Sequence, residues 1–216
     1  MLDYKSVSML LDASVHLEQA DKEANVDSDS DLTTYYRQII GSLMFLMIGT
    51  RPDIAAAVSI VSQFAANPIP KHIQAAKRIL RYLKGTKGYK LYLGGTNKKL
   101  VGYCDANWGN EINSRKSTSG YLFYLGGGVI SWSSKRQPTV ALSLTEAEYM
   151  ALTHATKEAM WLRSLLKELE FGEEYITATT IYEDNQSSIA LAKNPVHHAC
   201  TKHIDIQHHF IREKVE

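Results

Sequence analysis

The chain has 216 residues, 44% of them hydrophobic, and a formal net charge of +1, which suits one large or two small globular domains with a buried core. Its two cysteines, Cys104 and Cys200, form no CxxC pair and read as free thiols in a reducing compartment. The most apolar window, Ile39 to Ile48, is too short to span a bilayer, and the N-terminal run lacks the basic start of a secretion signal.

Residues 1–31 carry eight acidic residues against two lysines and read as an acidic, disordered leader. A helix is predicted from about Leu32, because Tyr35, Ile39, Leu43 and Leu46 recur at helical spacing. Thr50-Arg51-Pro52-Asp53 breaks it, and proline at a first helical position suits a new helix to about Ala66. Asn67-Pro68-Ile69-Pro70 stops that helix. A third is predicted from Lys71 to Leu83, with Ile73, Ala76, Leu80 and Leu83 on one face and Lys77, Arg81 and Lys84 on another. Gly85 closes it. Residues 71–99 hold nine basic residues and no acidic one. Such a block can neutralise phosphates, or it can simply be a solvated helix face. Residues 32–88 thus read as a small helical unit with a basic outer face.

At Tyr89 the texture changes to alternation, with Tyr89, Leu91 and Leu93 set against Lys90, Tyr92 and Gly94. Short strands are predicted over 100–104, ending on Asp105, and over 120–125 and 129–133, with Gly126-Gly127-Gly128 as a hairpin turn. Strands joined so closely pair antiparallel. A long amphipathic helix over 145–169 leads to a β-branched strand over 177–182, then to helices over 185–192 and 202–214. A helical crossover between the third and fourth strands makes them parallel. Residues 89–216 therefore read as an α/β domain with a mixed central sheet flanked by helices.

Four carboxylates sit where strands end or helices start: Asp105, Glu148, Asp184 and Asp205. Each has an ordinary explanation taken alone. Asp105 fits a turn residue, Asp184 an N-cap, Glu148 the second half of a Thr145-x-x-Glu148 capping box, and Asp205 a first-turn dipole partner. Together they suggest more. Neighbouring strands would set Asp105 beside Asp184, where two unpaired carboxylates repel unless a cation lies between them. Positions 148, 152, 155, 159, 162, 166 and 169 share one helix face, apolar except for Glu148 at its start. Glu146 opens a more mixed face, so helical phase favours Glu148, and only one of the two should reach an ion. A ligand set of oxygens alone suits Mg²⁺ or Mn²⁺ rather than Zn²⁺.

His197, His198, Cys200, His203, His208 and His209 cluster near the C-terminus, but their spacing matches no finger pattern, and no zinc is expected. His198 or His203 is a candidate for shuttling protons or helping product release. Trp132 and Trp161 read as core residues.

From Leu100 onward the chain resembles the ribonuclease H domain at the end of the Pol polyprotein of Ty1/copia-type LTR retrotransposons. The runs that carry the likeness are Gly102-Tyr103-Cys104-Asp105-Ala106-Asn107-Trp108, Arg115-Lys116-Ser117-Thr118-Ser119-Gly120-Tyr121, Ile130 to Pro138, Thr145 to Leu152, Glu183-Asp184-Asn185-Gln186-Ser187, and Thr201 to Asp205 with Phe210-Ile211-Arg212-Glu213. Tyr36 to Thr86 resembles the same family's segment between polymerase core and RNase H, notably at Thr50 to Ile54 and Ala75 to Thr86. Asn107 and Leu144 depart from the family's usual acidic and small polar residues, though neither is a cage position.

The resemblance implies an RNase H-like fold after a thumb or connection-like helical segment. It implies metal-dependent cleavage of the RNA strand of RNA–DNA hybrids, with Asp105, Glu148, Asp184 and Asp205 holding two Mg²⁺ ions, or Mn²⁺ in their place. Arg115, Lys116, Ser117 and Thr118 are expected to touch phosphates, Asn185 and Gln186 to make groove contacts, and Lys77, Arg81 and Lys84 to hold the duplex by charge. A hybrid is read by shape, phosphates and 2′-hydroxyls. The polymerase palm is missing, so the expectation is a Pol fragment whose polymerase neighbour belongs to the intact element. Its implied setting is intracellular, in cytoplasm, virus-like particle or nucleus, with no membrane partner. The competing reading is a weak or inactive remnant that at most binds nucleic acid.

Overall fold

A computed structural model of the chain describes residues 5–12, 17–19, 30–95, 99–110, 114–172, 178–193, 210–211 and 213–214. The chain divides into two units, Met1–Leu91 and Tyr92–Glu216, each with its own apolar core. No helix among the described residues is long and apolar enough to cross a membrane.

The first unit is helical: α1 (Ser30–Gly49), a 3₁₀ turn (Pro52–Ile54), α2 (Ala55–Ser62) and α3 (Pro70–Gly85). The face that α1 buries is Tyr36, Ile39, Ile40 and Leu43, an i, i+3, i+4, i+7 stripe. Tyr35 and Leu46, part of the predicted stripe, are exposed instead. The Tyr36 hydroxyl donates to the Val61 carbonyl at 2.7 Å, which ties α1 to α2. Arg51 explains the Thr-Arg-Pro-Asp break. Its guanidinium holds both carboxylate oxygens of Asp53 at 2.9 and 2.7 Å and donates to Thr86 Oγ1 at 2.6 Å, joining the start of α2 to the end of α3.

Part of the expected leader falls among the described residues and makes contacts there. Residues 5–12 and 17–19 lie against α3, where Arg81 Nε donates to the Lys5 carbonyl at 2.8 Å and Arg78 Nε to the Met9 carbonyl at 3.3 Å. Leu10, Leu11 and Leu17 pack on the unit's core. Main-chain carbonyls and three leucines make most of these contacts, beside a 3.8 Å ion pair of Asp12 with Arg78, and a count of acidic side chains is blind to the carbonyls and leucines.

The second unit is built on four strands among the described residues: β1 (Val101–Asn107), β2 (Thr118–Leu125), β3 (Gly128–Arg136) and β4 (Thr180–Tyr182). Their order is β3-β2-β1-β4; β1 is antiparallel to β2, β2 to β3, and β4 runs parallel to β1. This is the mixed sheet of the expected ribonuclease H-like fold. Gly126 and Gly127 make the β2–β3 turn with φ of +60° and +77°, the left-handed pair that a two-residue hairpin needs. Gly102 has a different reason: a Cβ there would lie 2.5 Å from the ring of Phe123, its fully buried register partner.

One strand boundary is corrected, and the alternating segment before it adds no strand. Residues 89–93 form no strand, and Tyr89, Tyr92 and Leu93 are exposed. Just beyond the segment the Gly95 N–H donates to the Gly126 carbonyl at the β2–β3 turn, and one bond makes no ladder. Asp105 does not end its strand either. Pairing with β2 continues to Asn107↔Thr118, so Asp105 lies inside β1.

Helix α4 (Leu144–Glu168) crosses from β3 to β4 and packs on β1 and β2, and α5 (Gln186–Lys193) follows β4. The predicted stripe of α4 is buried at Glu148, Leu152, Ala155, Ala159, Leu162 and Leu166, while Leu169, just past the helix, is exposed. Trp161 is 57% exposed rather than core, because it falls off that stripe.

Candidate metal centre

On β1 the side chains alternate: Gly102, Cys104 and Ala106 are buried, while Tyr103, Asp105 and Asn107 face away from that core. The parallel β1–β4 register pairs Tyr103 with Tyr182. Asp105 and Asp184 each lie two residues further along, so the pleat sets both on the same side of adjacent strands.

Glu148 joins them from the second turn of α4. Ligand oxygens of Asp105, Glu148 and Asp184 all lie within 4.8 Å of one another. The two glutamates differ in what each carboxylate already does. Ser143 is the N-cap of α4, and its Oγ accepts the Glu146 N–H at 3.2 Å. Glu146 Oε2 in turn accepts the Leu142 N–H at 2.8 Å. Glu146 therefore spends its carboxylate on the backbone just before the N-cap, a close relative of the capping box. Glu148 is equally buried, at 3% exposure, yet its Oε2 has no hydrogen-bond partner.

The cap at the other helix is similar. Asn185 Oδ1 accepts the Ser188 N–H at 2.9 Å, so Asn185 caps α5 and Asp184 is not spent on that task.

Electrostatics follow from this crowding. Burial pushes the Glu148 carboxyl up to about 7, and the charges of Asp105, Glu183 and Asp184 add to the effect, while the Ala106 backbone N–H opposes it. Burial also pushes Glu183 up to about 7, with Asp184 and Asp105 contributing; the nearby Ser188 hydroxyl opposes this without a well-aligned bond. The Cys104 thiol is raised by its burial and then by the same four carboxylates. Glu183 is the residue that sequence reasoning left without a role. Both of its carboxylate oxygens are buried and unpartnered. An acidic pair at a strand's end was the only available signal, and one member of such a pair must point away from the other.

Three carboxylates and no nitrogen or sulfur donor fit a hard divalent cation such as Mg²⁺ or Mn²⁺. The buried, unpartnered Glu148 oxygen is the observation that fits it best, because such an atom costs stability unless a cation or donor meets it. Asp205, His198 and His203 lie outside the described residues.

The expected phosphate loop divides in two. Arg115 is exposed, with φ of +55°. Lys116 Nζ donates to the Pro138 carbonyl at 2.6 Å. Ser117 is fully buried, and its Oγ accepts the Gly109 N–H at 3.0 Å, so it braces the turn instead of facing solvent. Thr118 Oγ1 donates to Asn110 Oδ1 at 3.2 Å. Gln186 opens α5 and is exposed. Lys77, Arg81 and Lys84 belong to α3 of the first unit and are half-buried; the Lys77 ammonium sits 5.6 Å from the Tyr35 ring centre.

No family model matches the chain. A retrovirus-related Pol polyprotein from transposon TNT 1-94 of Nicotiana tabacum is 52% identical over 182 residues, covering 84% of this chain and 13% of that polyprotein. The chain thus spans about one eighth of that relative's length. A secreted RxLR effector protein 161 of Plasmopara viticola is 58% identical over 128 residues, which are 59% of this chain and 90% of that protein. Among solved structures, an RNase H1 from the halophilic archaeon Halobacterium salinarum NRC-1 is 13% identical, covers 55% of this chain and 80% of its own, and has a TM-score of 0.36.

Proposed function

The chain belongs to the retrovirus-related Pol polyproteins of copia-type transposons, and from that premise we propose that its second unit hydrolyses the RNA strand of RNA–DNA hybrids with the help of divalent metal. One observation carries the reading: carboxylates from three separate elements, β1, the segment after β4, and α4, converge within 4.8 Å. Cap duties, which would explain Asp184 and Glu148 singly, fall instead to Asn185, Ser143 and Glu146.

Asp105 and Asp184, side by side at the sheet, would hold metal between them, and Glu148 would close the site from the helix. Mg²⁺ or Mn²⁺, when bound, supplies the positive charge that acidifies a water and stabilises the leaving oxygen of a phosphodiester. Asp205 would complete the carboxylate set, and His198 or His203 would move protons or release product; these three enter on sequence alone. Arg115 and Lys116 would meet the phosphates of the hybrid near the site, with Thr118, Asn185 and Gln186 as polar neighbours. Ser117 would act indirectly, by shaping that loop. Lys77, Arg81 and Lys84 would add charge attraction from the first unit.

The test is cleavage of a labelled RNA–DNA hybrid by the full chain with Mg²⁺, set beside single-stranded RNA and duplex DNA. Selective cutting of the RNA strand that disappears in Asp184→Asn supports the reading. Hybrid binding without any cleavage by wild type would instead favour the binding remnant.

A further inference from the structure

Gln137 is the first residue after β3 and is 3% exposed. Its side-chain nitrogen, Nε2, donates two hydrogen bonds inside the protein: to Ser119 Oγ at 2.9 Å and to the Ala147 carbonyl at 2.8 Å. Its own N–H donates to the Ser117 carbonyl at 2.8 Å, which fixes where the side chain starts. These partners are not arbitrary. Ala147 directly precedes Glu148 on α4. Ser119 is the register partner of Ala106, the residue after Asp105 on β1. One buried amide thus spans the helix that carries Glu148 and the strand paired beside Asp105. Its remaining oxygen, Oε1, is buried with no partner, a cost that a purely structural apolar side chain would avoid.

The geometry points to Gln137 as a positioning residue for the carboxylate centre: it holds the second turn of α4 against β2 at the distance that lets Glu148 meet Asp105 and Asp184. This rests on the metal-dependent reading of that centre. The physical reason is general. A ligand oxygen binds tightly only when the groups behind it fix its position, and such outer contacts are typically worth about 10–100-fold in metal affinity. Near the carboxylates α4 is held mainly by apolar packing, its Ser131–Glu158 hydrogen bond to β3 lying about three turns further along; packing sets a distance loosely, and a two-bond clamp to one nitrogen sets it closely.

The test compares the full chain with Gln137→Met, which keeps the shape and removes both donations, and with Ser119→Ala, which removes one anchor. Leu162→Ala, in the same helix stripe but away from the carboxylates, serves as a destabilised control. The first readout is Mn²⁺ affinity by calorimetry. Gln137→Met should lose about tenfold or more, Ser119→Ala less, and Leu162→Ala none despite its lower melting temperature. The second readout needs no metal: amide exchange at Ala106, whose N–H faces the Glu148 carboxylate, should quicken in Gln137→Met beyond the change seen in Leu162→Ala. Unchanged exchange at Ala106 overturns the clamp. Exchange that quickens while wild type binds no Mn²⁺ upholds the clamp and sinks the metal reading instead.

Discussion

Tyr103 on β1 and Tyr182 on β4 are parallel register partners with rings stacked at 5.1 Å between centroids, and both rings are about half exposed. That pair fixes the strand register just before the acids. A slip of one residue would turn Asp105 or Asp184 to the opposite face of the sheet. Convergence of the two aspartates is thus a property of the ladder, not of the side chains alone.

Asp105→Asn and Asp184→Asn should both leave the fold intact and lower Mn²⁺ affinity by more than the roughly 10–100-fold typical of outer contacts. Removing one of two crowded like charges relieves repulsion, so neither variant should melt earlier than wild type without metal. Calorimetry and thermal melts separate the two effects; a large loss of stability in either variant would mean that the aspartate is structural.

The two glutamates of α4 should behave as opposites. Glu146→Ala removes the acceptor of the Leu142 N–H at the start of α4 and should cost about 0.5–2 kcal/mol of stability, with hybrid cleavage per folded molecule retained. Glu148→Gln should fold at least as well as wild type and lose both cleavage and metal binding. Denaturant titration beside single-turnover cleavage checks the pair. Equal loss of activity at fixed folded concentration would erase the distinction drawn from their hydrogen bonds.

Much of this centre is legible in the sequence, and the reasons are physical. Helical phase placed Glu148 on the apolar stripe of α4 because a 3.6-residue period is written directly in Leu152, Ala155, Ala159 and Leu162. The β-branched and aromatic runs gave three antiparallel strands and a parallel fourth. The capping assignments were legible only in part. Ser143-x-x-Glu146 and Thr145-x-x-Glu148 satisfy the same pattern, and only the observed donors tell them apart. Gln137 left no signal of its own, since its two acceptors lie 18 and 10 residues away in sequence. The contacts that residues 5–12 make with α3 leave little trace in the sequence, because they run largely through main-chain carbonyls. Residues 89–93 alternate in sequence yet form no strand: Tyr92 and Leu93 lie against Gly128 at the start of β3 without a strand ladder there.

Charge near the site should show itself through salt. Arg115 is exposed, and Lys116 reaches the Pro138 carbonyl from the same loop, near the end of β1. If each meets a phosphate, Arg115→Gln and Lys116→Gln should weaken hybrid binding alike for different sequences, and each should reduce the slope of log affinity against log salt by about 1. Anisotropy titrations of the uncleaved hybrid on Asp184→Asn, over a series of salt concentrations, measure that slope. A slope equal to wild type in both variants would remove the loop from the nucleic-acid interface.

The pH dependence of metal-free stability follows from Glu148 and Glu183, whose carboxyls are held up to about 7 by burial first and by neighbouring carboxylates second. In the unfolded chain both titrate near 4.5. Between those values the folded state holds protons that the unfolded state has released, so unfolding free energy falls as pH rises through that window. Below about 4.5 neither group penalises folding; above about 7 both do so in full. Glu148→Gln cannot ionise and escapes its share. Its stability relative to wild type should therefore rise between about pH 5.5 and about pH 8, by urea titration in the presence of a chelator. Mg²⁺ should act in the same direction on wild type, raising its melting temperature more at the higher pH, because binding requires the ionised carboxylates. A Glu148→Gln difference that stays constant across the two pH values would mean that the Glu148 carboxyl titrates near its ordinary value in the folded protein.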